Sequence, residues 1–214
     1  MKLSTRLLTS LLLSFLLWAC NQKEEKTDTI AKTGGTIDSS TTGKQETTVN
    51  PFAPVDVSPM DMSYYPADYP KLKMTNSISD PPMARVIYSR PHLQGRQLFH
   101  DVLKYGEPWR LGANEATELQ LYSDATIQGK NLKAGRYVIY CIPQPGTWTI
   151  ILNSNIDSWG LKPDATKDIA HFTVPVTQTT RHLEYLTIIF EKTDAGTELL
   201  MAWDNLEARL PINF

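Results

Sequence analysis

The chain has 214 residues, with 21 Lys and Arg against 23 Asp and Glu for a formal charge of −2, 41% hydrophobic residues and two cysteines. A near-neutral balance argues against a nucleic-acid binder, which concentrates basic side chains on one face. Two cysteines exclude a disulfide scaffold and a four-thiolate metal site, and a single long apolar run excludes a bundle of membrane-spanning helices.

That run comes first. Lys2 and Arg6 precede Leu7 to Ala19, which only Thr9, Ser10 and Ser14 interrupt. A charged start followed by an apolar segment of this length reads as a secretory leader over residues 1–19, too short to span a bilayer as a helix. Leu17-Trp18-Ala19-Cys20 resembles the lipobox of bacterial lipoproteins, with Trp18 bulkier than the residue usual there. The resemblance implies cleavage before Cys20, acylation of that cysteine with palmitate-type chains and membrane anchoring through it; two or more acyl chains suffice for stable attachment. Asn21 differs from the Asp that retains lipoproteins in the inner membrane. Gln22-Lys23-Glu24-Glu25-Lys26 resembles the acid-rich tag of surface-exported lipoproteins. Together they imply a Gram-negative outer-membrane lipoprotein displayed at the cell surface.

Residues 21–50 hold eight Thr, two Ser, three Gly and nine charges, but no aromatic residue. Such a segment cannot bury enough apolar surface to offset its ordering entropy, so 20–50 is expected to be a disordered tether. Residues 51–82 set Tyr64, Tyr65 and Tyr69 beside Pro66 and Pro70, the pattern of an extended strap laid on the domain that follows. That domain, 83–214, reads as β.

Ala84–Ser89, Glu118–Ser123, Tyr137–Ile142, Trp148–Asn153, His171–Val176, Glu184–Glu191 and Glu198–Trp203 are short runs rich in β-branched and aromatic residues, mostly separated by Gly, Pro, Asn or Asp. Leu119/Leu121 and Trp148/Ile150/Leu152 show period-2 alternation. Only Gln97–Leu103 offers a short helix, with Leu98, Phe99 and Val102 as its apolar face. The fold expected is all-β: a single β-sandwich or barrel-like domain of seven to nine short strands with a long N-terminal strap. Cys141 falls mid-strand and reads as an inert buried thiol.

One stretch does not fit a plain sandwich. Tyr88 to Arg96 and Tyr105 to Thr117 gather Arg90, Arg96, Arg110, Glu107, Glu115, Asn114 and Trp109 in loops punctuated by Gly and Pro. Arg presents a planar fork suited to carboxylate, phosphate or sugar oxygens, and Trp a stacking face. One reading is a site for a small polar, anionic or glycan-like ligand. A second is an internal network in which the three Arg pair with Glu107 and Glu115 and pin loops to the sheet, function then lying with a protein partner. A third is an envelope or extracellular hydrolase using Glu115 or Glu107. His92, His100, His171 and His182 show no metal-ligand spacing, and nucleotide and nucleophile-elbow motifs are missing, so no metal or cofactor is predicted.

The run Tyr88-Ser89-Arg90-Pro91, Gly95-Arg96, Phe99, Tyr105-Gly106 and Trp109-Arg110 through Gly112-Ala113-Asn114-Glu115-Ala116-Thr117 resembles the signature of the bacterial family known as domain of unknown function 2911. Gly129, Ala134-Gly135, Tyr137, Ile142-Pro143, Trp148-Thr149, Trp159-Gly160 and Ala202-Trp203 extend the likeness from about residue 53 to the C-terminus. The resemblance implies a secreted or lipid-anchored β-rich domain and no particular reaction. Its pattern asks for no histidine at 92 or 100.

Overall fold

A computed structural model describes residues 56–214. The predicted leader, Cys20, the tether and the first residues of the strap lie outside the described residues.

Nine strands form the domain: β1 (Met60–Tyr65), β2 (Ala84–Ser89), β3 (Glu118–Leu121), β4 (Ala125–Ile127), β5 (Lys130–Leu132), β6 (Gly135–Gln144), β7 (Thr147–Asn153), β8 (Asp168–Thr193) and β9 (Gly196–Ile212). Seven of them make one sheet in the order β1-β2-β3-β6-β7-β8-β9, and β4 and β5 pair as a separate hairpin. Every pairing is antiparallel. The all-β class is therefore the one read from the sequence.

The core follows from the two-residue period of a strand. Val86 and Tyr88 of β2, Leu119 and Leu121 of β3, Ile139 and Cys141 of β6, Trp148, Ile150 and Leu152 of β7, and Phe172 and Val174 of β8 all face one buried interior. Leu199, Met201 and Trp203 of β9 join them. Trp109, Trp148 and Trp203 meet there, Trp109 stacking on Trp203 at 5.8 Å and meeting Trp148 edge-on at 5.8 Å. Offset and edge-to-face contacts of this kind add to the area each indole removes from water.

The sheet curls because β8 serves two neighbours. Asp168–Pro175 pairs with β7, whereas Val176–Thr193 pairs with β9 across register shifts between Gln178 and Leu183 and between Leu183 and Thr187. The second half then reaches back to the opposite end of the sheet. Phe190 N–H donates to Ser63 Oγ on β1 at 3.3 Å, and Ile188 N–H to the Tyr88 hydroxyl on β2 at 2.9 Å. Leu186 N–H donates to the Pro91 carbonyl and Leu93 N–H to the Glu184 carbonyl, both at 3.0 Å. The result is sandwich-like and nearly closed.

Three expectations change. The predicted runs 171–176 and 184–191 belong to one 26-residue strand, which carries the polar Thr177–His182 stretch through a register shift against β9. The strap is not merely irregular: it supplies edge strand β1 and a helix α1 (Tyr69–Met74), with Pro70 in its first turn, where a missing N–H costs nothing. The helix expected at 97–103 is one π-helical turn, Leu98–Val102, with Phe99 stacked on Tyr105 at 4.0 Å.

Candidate functional site

Between β2 and β3 the chain runs through the loops that hold the seven residues singled out from the sequence. The Trp109-to-Thr117 segment is tightly determined. Trp109 exchanges backbone hydrogen bonds with Cys141 of β6, at 2.7 and 2.8 Å. Leu111 is fully buried yet sits at φ 51°, a left-handed conformation that a bulky side chain adopts only when its surroundings insist. The Thr117 hydroxyl donates to the Leu111 carbonyl at 2.8 Å. A Cβ on Gly112 would lie 3.0 Å from the Thr117 Oγ1 and 3.1 Å from the Ser89 carbonyl oxygen, so this position has little room for a side chain. The motif is thus a rigid mount for its one large cation, Arg110.

A cavity of about 550 Å³ opens beside that mount, lined among others by His92, Arg96, Lys104, Glu107, Trp109 and Arg110. Gly160 and Leu161 also line it. Gly160 has φ +76°, and a Cβ there would fall 2.8 Å from the Ala116 Cβ and 3.1 Å from the Arg110 Cβ. The loop can approach Arg110 this closely only as glycine. Half-buried Asp168 anchors the same loop: it accepts from buried Asn153 Nδ2 at 2.7 Å and from the Tyr140 hydroxyl at 3.0 Å, and Asn153 Nδ2 also reaches the Asp164 carbonyl at 2.8 Å.

The charge in the cavity is lopsided. Arg96, Lys104 and Arg110 face one carboxylate, Glu107, which makes an exposed contact of 3.7 Å with Lys104. Arg96 is braced by two carbonyls: its Nε donates to Leu93 at 2.8 Å and its Nη2 to His92 at 2.7 Å. Neither bond neutralises it. The Arg110 Nε is buried and has no hydrogen-bond partner among the described residues. Burial pulls this guanidinium below its usual value, and Glu115 opposes the shift from beyond ion-pair distance. An arginine remains charged under such a shift. His92 stacks on Tyr185 at 5.0 Å with its Nδ1 3.7 Å from Glu184, and its Nε2 is likewise buried and unpartnered.

The seven residues do not converge. Arg96, Glu107, Trp109 and Arg110 share the cavity, although Trp109 is mostly core and its Nε1 donates to the Gly112 carbonyl at 3.3 Å. Arg90 is taken up by its own fold: it meets Asp61 at 3.3 Å, donates to the Leu186 carbonyl at 3.2 Å and lies over the Tyr185 ring. Asn114 donates to Asp56 at 2.6 Å and holds the strap. Glu115 is exposed in a different groove, beside Trp159. No Arg pairs with Glu107 or Glu115 among the described residues, and these two carboxylates face different spaces. His92 and Lys104 were missed from the sequence. The clue available for His92 was its place between Arg90 and Arg96 in the same loop.

No group of three or more His, Cys, Asp or Glu is arranged to hold a metal among the described residues. No curated protein and no solved structure matches the chain. The family described as protein of unknown function, DUF2911, matches residues 70–212, a span that takes in the mount, the charged residues of the cavity and every strand except β1, and the chain belongs to it.

Proposed function

We propose that this is a lipid-anchored envelope protein, held through Cys20 at the outer membrane, whose β-domain binds a small anionic ligand in the cavity of Arg96, Lys104 and Arg110. The observation that carries the reading is Arg110. Its guanidinium is half-buried on a rigid loop, with a buried N–H that nothing in the described chain satisfies. A desolvated cation without a partner costs stability, and a fold tolerates it where a ligand completes the pair. The ligand class is a carboxylate or phosphate, which accepts from the Arg fork in a way a neutral molecule does not. Arg90 and Asn114, saturated by their own chain, belong to the scaffold.

Thermal unfolding of the whole chain in increasing inorganic phosphate or succinate tests this, beside Arg110→Met. Binding to the native state alone stabilises by about 2.7 kcal/mol at a hundredfold excess over Kd. The expected result is saturable stabilisation of the parent, while Arg110→Met melts at or above the parent temperature without ligand and responds at least about tenfold more weakly. If Arg110→Met melts far below the parent and neither anion stabilises, the cluster is scaffold and the reading fails.

A further inference from the structure

The loop that walls the cation-lined cavity also borders a second space. Gly160 and Leu161 face the first, while Trp159 lines a groove of about 420 Å³ with Met60, Ile87, Glu115, Glu118 and Asp157. Trp109, Trp148 and Trp203 are all buried, whereas Trp159 is 55% exposed and lies along the same groove as Met60, which is 62% exposed. An indole and a thioether left in water in one groove give it an apolar, polarisable lining.

The polar side of the groove is negative. Arg136 takes both Glu118 and Asp157, each at 2.8 Å. Glu115 has no hydrogen bond or ion pair among the described residues, and no basic side chain lines the groove. This is the reverse of the neighbouring cavity and repels an anion. A π face with an uncommitted carboxylate beside it is the combination that recognises an organic cation, because the indole quadrupole and the carboxylate attract the same charge.

We propose that the groove around Trp159 is a second binding site, separate from the cation-lined cavity, that takes an organic ammonium group against the indole and Met60 with Glu115 as its counter-ion. A neutral sugar also stacks on an indole, but it leaves Glu115 without a charge to meet. The test uses the whole chain in an uncharged, sugar-free polyoxyethylene detergent. Choline and n-butylammonium are titrated by calorimetry and indole fluorescence, with 3,3-dimethylbutan-1-ol as the uncharged shape-match of choline and methyl glucoside as the sugar.

Saturable binding of either amine, on the order of millimolar for so small a probe, supports the site, and the stronger of the two tells a quaternary from a primary ammonium. The alcohol is expected to bind at least about tenfold more weakly than choline. Trp159→Ala should lose about tenfold or more, Glu115→Gln about three- to tenfold, and Trp159→Phe less than Trp159→Ala. Melting temperatures equal to the parent's exclude misfolding, as both side chains are exposed. The proposal is overturned if the alcohol matches choline, if the glucoside binds and the amines do not, or if Trp159→Ala binds amines like the parent. Arg110→Met leaves amine binding in place, so this result is independent of the anion test.

Discussion

Tyr88 occupies a core position of β2, only 2% exposed, and its hydroxyl is used twice. It accepts the Ile188 N–H at 2.9 Å and donates to Asp61 at 3.3 Å, and Asp61 in turn meets Arg90. Burial pushes the phenol up to about 12, with Asp61 adding to the shift and the Ile188 N–H and Arg90 opposing it, so the group stays neutral. Replacing it as Tyr88→Phe strands a buried backbone donor on β8. Chemical denaturation should show a loss of about 1–3 kcal/mol; a loss near zero would show that the link between β2 and β8 carries no weight. The same residues mark the limit of reading pairs from sequence. Three Arg and two Glu within one motif suggested each other as partners, but Arg90 found Asp61 on the strap and two positions of β8. Residue types name the chemistry that is possible. The register that brings 61, 90 and 187 together is a property of the closed sheet.

Among the elements, the loops between β2 and β3 supply most of the cavity lining, and the 154–167 loop closes on them with Gly160 as its tight point. Gly160→Ala forces a left-handed alanine, costing on the order of 1–2 kcal/mol by itself, into contact with Ala116 and Arg110. The expected outcome is a larger loss than that figure in an unfolding titration, together with weaker anion response as Arg110 shifts. A variant as stable as the parent would mean that the loop moves away freely and does not brace the cation. Strand signals were uneven for a physical reason. β3 and β7 were readable because Leu119/Leu121 and Trp148/Ile150/Leu152 alternate beside clear turn residues. The continuation of β9 past Trp203 also alternates, through Leu206, Ala208, Leu210 and Ile212, but it follows Asp204-Asn205, polar residues with Asp204 at φ 54°, and the strand read from the sequence stops at Trp203. Thr177–His182 carries no apolar pattern at all, since most of it is exposed; Thr177 and Gln178 pair with β9, and the ladder resumes only at Leu183 after a register shift. The Trp159 groove was unreadable because its members come from four separate stretches of chain.

For the molecule as a whole, the two cysteines give a direct check on anchoring. Cys141 is fully buried in β6, burial pushes its thiol well above the usual range, and it has no disulfide partner among the described residues. A thioether-linked, acylated Cys20 has no thiol to offer. Thiol titration of the membrane-purified protein should therefore find none in the native state and one per chain in denaturant. Two in denaturant would mean that Cys20 is unmodified and that the lipid anchor is wrong.

The double service of β8 also sets an order of events during folding. β6 to β9 follow one another as antiparallel neighbours joined by short turns or a single loop, so their contacts close small loops early. Ser63 and Phe190, by contrast, are 127 residues apart, and their contact forms only after the sheet has curled. Contacts of that separation slow the search and come late. The seam between β1 and β8 is thus the last to lock and the first to part: a chain made from its N-terminus onward can pair β1 with β2 early, but the sheet stays open until the final hairpin exists.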